Sequence, residues 1–437
     1  MAGPFRSLSS IGSADFGKEA TLAGWAEDVR NLGGIAFLIV RQREGTFQVT
    51  VKKKADEDLF ARASKVVRES VVATRGVVQA NPQVRNGWEL VASSLDVLSP
   101  AAVPLPLPVA DRVGAEMDTR FDNRTLDLRK PERRAIFQIR SLVESALREF
   151  LGRHEFVEVH TPKLAGAGAE GGATLFETDY FGRRAYLSQS PQLYKQMLMS
   201  TGLDRVFEIA PAFRAEPSDT VRHVTEFTSF DGEVAWIAGQ EDVFTFLEGA
   251  VDHAIERVRS EAKPQLELLK ASPRRPKSPF RRVTYGEALE ILRSEGRKLR
   301  DGDDIDTESE KLLGQRLAKE GHELYFLTGY PAGIKPFYVM PDPEDPDHTY
   351  SFDLEYKGDE MASGGQREHR YDPLVERMKA KGLKIENFEF YLKAFRYGMP
   401  PHGGWGFGVD RFVQKLLDLP NIREAILFPR DRTRLVP

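Results

Sequence analysis

Residues 206–216 read VFEIAPAFRAE and, after a short polar loop, residues 222–227 read RHVTEF. The apolar and β-branched content of both pieces predicts a strand, a loop and a second strand. A guanidinium at Arg214, near the end of the first strand, can hold a phosphate through paired hydrogen bonds, and Phe227 on the second strand can stack on a purine. This combination suits a nucleotide, although a salt-bridged hairpin would give the same pattern.

A glycine-rich segment near the C-terminus, residues 400–411, reads PPHGGWGFGVDR and leads into an apolar helix predicted over 412–419. Glycines let the backbone approach a ligand closely, and Arg411 falls in the first turn of the helix, where anions are favoured. The segment therefore predicts a second phosphate-binding arginine.

The composition excludes several classes of site. The 437 residues contain no cysteine, which excludes disulfides, thiol catalysis and cysteine-ligated zinc, and the eight histidines form no His-Glu-x-x-His pattern. Any metal should therefore have oxygen ligands. The net charge of −4 does not by itself indicate nucleic-acid binding, and basic runs such as 52–54 and 274–277 are as well explained by solvated surface. With no secretory signal and no apolar run of roughly 20 residues, a cytoplasmic protein without a membrane segment is expected.

The N-terminal part, residues 1–100, is predicted to be a small β domain. A helix at 58–68 follows the third of the predicted strands, which are 21–26, 35–41, 47–51, 71–80 and 88–92. This is the element order of the OB-fold barrel, which often binds single-stranded nucleic acid, although a generic small β domain shares it.

The rest of the chain is predicted to be a hinge, 101–131, and an α+β domain, 132–437. The hinge contains VPLPLP at 103–108, and the domain begins with an amphipathic helix at 132–151 and a strand at 156–160. A mainly antiparallel sheet is expected because strands at 185–188, 205–210 and 226–236 look hairpin-connected. Glycine-rich turns are predicted at 166–172, 363–365 and 403–408, and an insertion at about 239–327.

The segments 206–227 and 400–411, together with the helix and strand that end at Pro162, resemble the three motifs of class II aminoacyl-tRNA synthetases in their expected order. Residues 120–129 (RFDNRTLDLR), 189–196 (QSPQLYKQ) and 363–367 (SGGQR) are similar to the aspartyl subgroup in its compact, archaeal-type form, subclass IIb. The resemblance covers nearly the whole chain. It implies a homodimer joined along 132–162, which activates L-aspartate with ATP and transfers it to the 3′-terminal adenosine of tRNA(Asp).

The resemblance also implies the residues that handle ATP. Arg214, Glu360 and Arg411 would be catalytic, and Mg²⁺ would be held by Asp353, Glu360 and Ser363. The residues matching the family's ATP site are Arg214, Ala215, Glu216, Arg222, His223, Val224, Phe227, Asp353, Glu360, Gly408, Val409, Asp410 and Arg411.

Aspartate selection is assigned in the same way. Lys195 and Arg367 would contact the side-chain carboxylate, and the related asparaginyl enzymes lack that lysine. Asp231 would orient Lys195 or the substrate ammonium, and Glu170 would hold the ammonium from a closing loop. The set matching the amino-acid site is Glu170, Gln192, Lys195, Arg214, Asp231, Ser363 and Arg367.

The barrel would then read the anticodon, with Phe37 stacking, Gln48 reading the central uridine and Glu89 making a third contact. Trp25 and Arg30 are further candidates, although core packing explains Trp25 equally well. Relaxed members of the family, which also charge tRNA(Asn), carry a histidine two positions after this tryptophan and lack a lysine after the proline near Pro82. Glu27 and Gln83 occupy these positions here and fit neither pattern.

Two readings from other classes are a tRNA-independent asparagine synthetase and a non-catalytic RNA-binding relative. The barrel argues against the first, and the retention of Arg214, Glu360, Lys195 and Arg411 argues against the second.

Overall fold

The computed structural model describes residues 5–110, 114–166, 175–215 and 220–437. Contacts divide the chain into two compact units, Met1–Lys130 and Pro131–Pro437. The predicted boundaries 1–100, 101–131 and 132–437 stay predictions about domains. Within the described residues no helix is both long enough and apolar enough to cross a membrane.

The strands of the first unit close into a barrel in the order β1-β2-β3-β5-β4. Its elements are β1 (Glu19–Leu32), β2 (Ile35–Arg41), β3 (Thr46–Lys52), α1 (Glu57–Ser64), β4 (Val71–Ala80), β5 (Trp88–Ser99), α2 (Met117–Asp122) and α3 (Arg124–Asp127). Alternate residues point inward, so that Ala36, Leu38 and Val40 of β2 are fully buried. The strand order, with α1 after β3, confirms the predicted OB-fold.

The second unit is built on a large, mainly antiparallel sheet in the order β12-β13-β14-β15-β16-β11-β10-β6, and a smaller sheet in the order β7-β9-β8. The strands are β6 (Val157–Glu158), β7 (Leu164–Ala165), β8 (Glu177–Tyr180), β9 (Arg183–Leu187), β10 (Arg205–Phe213), β11 (Glu226–Ala235), β12 (Arg281–Thr284), β13 (Leu324–Thr328), β14 (Ser351–Tyr356), β15 (Asp359–Gln366) and β16 (His402–Gly408). Only the end pairs β12–β13 and β10–β6 of the large sheet are parallel. The α+β prediction is therefore confirmed.

Helices complete the second unit. They are α4 (Pro131–Arg153), α5 (Gln192–Leu198), α6 (Gln240–Glu261), α7 (Lys263–Leu269), α8 (Tyr285–Ser294), α9 (Thr307–Lys319), α10 (Tyr371–Ala380), α11 (Glu389–Arg396) and α12 (Val409–Leu416). Residues such as Val143 of α4 and Phe244 and Leu247 of α6 share the main core with strand residues such as Phe352. The stretch predicted as an insertion thus supplies core residues in this chain, and its status as an insertion relative to other chains stays a prediction.

Two predicted glycine-rich turns are wrong, because residues 363–365 lie within β15 and residues 403–408 within β16. Glycine is needed at some positions of this sheet because a neighbouring side chain lies too close for a Cβ atom. A Cβ at Gly232 would lie 2.3 Å from the Trp405 ring, and one at Gly364 would lie 2.4 Å from the Phe352 ring. The turn predicted at 166–172 lies outside the described residues except for Gly166.

Gly404→Ala should destabilise the sheet, because the new Cβ would lie 2.1 Å from both the Glu233 carboxylate and the Gly232 carbonyl oxygen. Neither can move cheaply, so we expect a loss of about 1–3 kcal/mol and a fall of about 3–8 °C in the thermal midpoint. Gly152→Ala in α4 is the control, since nothing lies within 4 Å of its Cβ position. Equal midpoints for the two variants would contradict the steric argument.

Candidate active site

A cavity of about 300 Å³ is lined by residues of β11, β15 and β16, by the start of α12 and by loop residues such as Arg214 and Lys335. It collects most of the predicted ATP and aspartate residues: Gln192, Arg214, Arg222, His223, Val224, Phe227, Asp231, Glu360, Ser363, Arg367, Gly408, Asp410 and Arg411. Lys195 and Asp353 contact the lining residues Asp231 and Lys335. Glu170 and Glu216 lie outside the described residues.

The antiparallel pairing of β10 with β11 sets Arg214 beside Phe227. Ala212 is the register partner of Phe227, and the Arg214 N–H donates to the Thr225 carbonyl at 2.9 Å. The Arg214 guanidinium lies 5.3 Å from the centroid of the Phe227 ring, within the range of a cation–π contact. The cavity therefore has a cation and an aromatic face next to one another.

Arg411 occupies the first turn of α12, as predicted, and its Nη1 donates to the Glu360 carbonyl at 2.7 Å. This bond ties the helix start to β15. The two residues before Arg411 have structural contacts instead. The Val409 side chain is fully buried in the main core, and the Asp410 carboxylate accepts from Arg140 and from the Thr228 N–H. Val409 and the half-buried Ala215, both predicted to bind ATP, are not among the residues that line the cavity.

Carboxylates from β14 and β15 form the acidic side of the site. Asp353 is the register partner of Ser363, and its two oxygens accept from Lys335 Nζ at 3.0 and 2.8 Å. Burial, together with the Asp353 carboxylate, raises the pKa of Glu360. Lys335 was missed at the sequence level, because a single lysine in a loop carries no spacing signal.

Further acids lie behind this pair. Burial raises the pKa of Glu310 to about 7, and the Glu360 carboxylate adds to the effect. The side chain of Glu355 is 1% exposed, and within the described part of the chain neither of its oxygens has a hydrogen-bond partner. Burial raises its pKa well above the usual range, with Glu310 as the next cause. Glu310, Glu355 and Glu360 therefore lie close enough together for the Glu360 carboxylate to raise the pKa values of the other two.

Arg222, predicted to bind ATP, is held by side chains outside the predicted site. It donates to Asp359 and to the Thr307 hydroxyl at the start of α9, and it lies 3.7 Å from Glu310. Lys415 also pairs with Asp359. A phosphate would therefore compete with these groups for Arg222.

The predicted aspartate pocket contains two cations and two acids, all buried. Lys195 Nζ donates to Asp231 at 2.8 Å and to the Trp405 carbonyl at 2.7 Å, and lies 3.6 Å from Glu233. The Arg367 guanidinium makes a two-point contact with Glu233 at 2.9 and 3.2 Å. Although burial disfavours its charged form, Arg367 and then Lys195 hold the pKa of Glu233 below its usual range. Glu233 was missed at the sequence level.

A hydrogen-bond chain positions Gln192 of this pocket. His402 Nδ1 lies 2.9 Å from the Pro400 carbonyl oxygen, which can only accept, so Nδ1 carries the proton and Nε2 accepts from Gln196 Nε2 at 3.1 Å. Gln196 Oε1 in turn accepts from Gln192 Nε2 at 2.9 Å. Burial lowers the pKa of His402 to about 4, which keeps it neutral. The orientation of Gln192 is therefore fixed by a chain that begins at a backbone carbonyl.

The predicted anticodon residues Phe37, Gln48 and Glu89 lie on the outward face of the barrel, on β2, β3 and β5. Gln48 pairs in register with Glu89 and donates to its carboxylate at 2.8 Å, and Thr50 donates to the same oxygen. Phe37 is half-buried and pairs in register with Thr50. The three predicted residues therefore form one patch.

Trp25 and Arg30 have other neighbours. The guanidiniums of Arg41 and Arg129 lie 5.9 and 5.3 Å from the Trp25 ring, and Arg30 donates to Asp28 at 2.6 Å. Glu27, at one of the two positions considered for tRNA specificity, accepts from Arg41 at 3.0 Å.

The cavity and the barrel thus offer cations for phosphates, a buried ion group that can receive a small zwitterion, and a surface with an aromatic and an amide for unstacked bases. The family model "tRNA synthetases class II (D, K and N)" matches residues 116–432, and the model "OB-fold nucleic acid binding domain" matches residues 20–98.

Proteins with similar sequences or structures are aminoacyl-tRNA synthetases for aspartate or asparagine. The aspartate–tRNA(Asp) ligase of Thermococcus kodakarensis is 52% identical over 96% of this chain and 97% of its own length, and the aspartate–tRNA(Asp/Asn) ligase of Methanothermobacter thermautotrophicus is 48% identical over 96% and 95%. The crystal structure of asparaginyl-tRNA synthetase from Pyrococcus horikoshii complexed with asparaginyl-adenylate superposes with a TM-score of 0.92 at 35% identity and covers 100% of both chains. The chain therefore belongs to the class II tRNA synthetases of the D, K and N group.

Proposed function

We propose that this chain is an aspartate–tRNA ligase, which activates L-aspartate with ATP and transfers it to the 3′-terminal adenosine of tRNA(Asp). The observation that carries the proposal is the buried group of Lys195 and Arg367 held by Asp231 and Glu233. Lys195 and Arg367 are charged donors that these two acids hold in place, and charged donors suit a substrate carboxylate better than an amide. Relatives about half identical to this chain along nearly its whole length are named as aspartate–tRNA ligases.

In the activation step, the α-carboxylate of aspartate attacks the α-phosphorus of ATP, a carboxylate oxygen–phosphorus bond forms, and the bond to the β-phosphate oxygen breaks to release pyrophosphate. Negative charge grows on the α-phosphate oxygens in the transition state. Arg214, beside Phe227, is suited to bind these oxygens and the attacking carboxylate, while Phe227 offers a face for adenine. Arg411, anchored to β15, is suited to the γ-phosphate and the other adenine face.

The tRNA step needs no covalent bond to the protein. The 3′-terminal ribose hydroxyl attacks the carbonyl carbon of the adenylate, the bond from that carbon to the phosphate oxygen breaks, and AMP leaves with the electron pair while its phosphate takes the hydroxyl proton. The bond chain from His402 through Gln196 would keep Gln192 in one orientation while both steps proceed.

The acidic side of the cavity fits Mg²⁺ as a partner of ATP. Asp353 and Glu360 are hard oxygen donors, and Ser363 pairs with Asp353 across the strands. No group of three His, Cys, Asp or Glu side chains arranged for a metal occurs among the described residues. Two carboxylates, Asp353 and Glu360, suit Mg²⁺, which commonly uses one or two carboxylates and completes its coordination shell with phosphate oxygens and water. When bound, Mg²⁺ would supply positive charge to the phosphates, and Lys335, now on Asp353, would have to share that carboxylate.

A non-discriminating enzyme that also charges tRNA(Asn) with aspartate is the second candidate. It is favoured by the 48% identical relative named for both tRNAs. Because Glu27 is engaged by Arg41 and Gln83 lies in an exposed loop, neither position adds a contact that separates the two candidates.

Charging assays decide between them. Purified tRNA(Asp) and tRNA(Asn) are each offered aspartate and asparagine with ATP and Mg²⁺, and the charged product is identified by mass. Aspartate on tRNA(Asp) alone supports the first candidate, and aspartate on both tRNAs supports the second. Charging with asparagine, or no charging of either tRNA, would overturn the proposal.

A cytoplasmic homodimer is part of the proposal. The predicted seam, 132–162, contains the exposed Val157, and the apolar side chain of Leu164, two residues beyond the seam, is 48% exposed. Light scattering after size exclusion should give twice the 49.2 kDa chain mass, and a monomer would contradict the seam.

A further inference from the structure

The outward-facing side chains of strand β3 form a row that begins with the predicted anticodon residue Gln48 and continues to Lys52, the last residue of the strand. Phe47, Val49 and Val51 point into the barrel core, so the alternate positions Gln48, Thr50 and Lys52 share the outward face. Gln48 and Thr50 are both fixed by Glu89, whereas Lys52 is exposed at the end of the row. A rise of about 3.4 Å per residue puts the Lys52 backbone about 14 Å from that of Gln48.

Lys52 opens onto a hollow of about 790 Å³ lined by residues 33–35 and 52–57. Gly33 and Gly34 form the facing turn at φ 57° and 91°, and the Lys53 N–H fixes that turn by donating to the Gly34 carbonyl at 2.8 Å. The wall therefore has little side-chain bulk on one side and three consecutive lysines on the other.

The acids of the hollow are already engaged. Asp56 caps α1 by accepting from the Leu59 N–H at 2.8 Å, and Glu57 pairs with Lys53 at 3.0 Å. In the part of the barrel unit that the structure describes, Lys52 and Lys54 have no ion pair. The arginines Arg30 and Arg68 differ from these lysines, since both pair with Asp28 at 2.6 Å.

We propose that Lys52 and Lys54 bind backbone phosphates of the tRNA strand that adjoins the anticodon bases. The inference rests on the proposed function, in which Phe37 and Gln48 meet those bases. A tRNA strand that runs along β3 from the bases at Gln48 would come within reach of the Lys52 and Lys54 ammonium groups. The turn at Gly33 and Gly34 leaves room for its sugar–phosphate backbone. These contacts supply affinity and register but read no sequence, so tRNA(Asp) and tRNA(Asn) are held alike at this point.

The test compares Lys52→Ala/Lys54→Ala with wild type in tRNA(Asp) binding across a salt series. Each lost phosphate contact lowers the slope of log K against log salt by about 1, so a fall of about 2 is expected, with an affinity loss of about tenfold at low salt. Aspartate-dependent pyrophosphate exchange without tRNA should be unchanged, because the variant leaves the cavity intact.

Lys18→Ala/Lys65→Ala is the matched control, since it removes the same charge from exposed lysines elsewhere on the barrel unit. Its slope should stay near that of wild type. Equal slopes and affinities for the two double variants would overturn the proposal, because a general charge effect would then explain the data. A wild type that charges neither tRNA would instead overturn the proposed function, and the lysine proposal with it.

Discussion

Lys195→Leu is expected to lower kcat/KM for aspartate in pyrophosphate exchange by about 10²–10³-fold, with ATP binding retained. The ammonium makes two hydrogen bonds inside a fully buried pocket, and truncating one partner of such a group costs about 2–5 kcal/mol. Leucine also offers nothing to a substrate carboxylate. Exchange kinetics give the first quantity, and calorimetric titration with ATP gives the second.

The same change removes a buried cation from beside Asp231 and Glu233, so lower stability is expected as well. Lys195→Leu/Asp231→Asn restores the charge balance and should fold while still lacking aspartate activation. Lys335→Met is the matched control, because it removes another lysine that is paired with a carboxylate at the same cavity. It should raise KM for ATP more than KM for aspartate. Aspartate exchange near the wild-type rate in the folded double variant would refute the pocket assignment.

The sequence predicts well where each signal is local. Barrel strands such as Ile35–Arg41 and Val71–Ala80 match their predicted bounds, because alternating apolar residues between turn signals depend on no distant partner. The helix predicted over 58–68 is observed at Glu57–Ser64. It begins one residue earlier because Asp56 caps it, and it ends four residues earlier. The strand predicted at 88–92 continues to Ser99, where pairing with β4 extends it beyond its apolar core.

Non-local packing explains the glycine errors. Glycine usually indicates a turn, but position 404 requires glycine because the Glu233 side chain of the neighbouring strand leaves no room for a Cβ atom. The local sequence of residues 400–411 does not indicate that Glu233 will lie beside Gly404. Local signals therefore pointed to residues that line the cavity but predicted the wrong backbone conformation for them.

Glu233 was missed for the same reason, since its partner Arg367 lies 134 residues away in the chain. One signal was available: Asp231 and Glu233 share one face of a strand that also carries Phe227, Phe230 and Val234, and two acids that are buried in this way imply buried cations. The acids Glu310, Glu355 and Asp359 gave no such signal, because they come from α9, β14 and β15 and meet only in the folded chain.

Arg214→Gln is expected to lower kcat for aspartate-dependent pyrophosphate exchange by about 10³-fold, with a smaller rise in KM for aspartate, whose attacking carboxylate Arg214 also binds. The guanidinium at the end of β10 is suited to the charge that develops on the α-phosphate, and one preorganised donor of this kind contributes about 10²–10³-fold or more. Arg214→Lys should recover little, because an ammonium cannot make the planar two-point contact. Arg205→Gln is the control on the same strand. Its guanidinium donates to the His154 carbonyl at 2.8 Å, away from the cavity lining, so near wild-type kcat is expected. If Arg214→Gln and Arg205→Gln gave similar kcat values, the charge developing at phosphorus would have to be stabilised by another residue, and Arg411 would be the next to test.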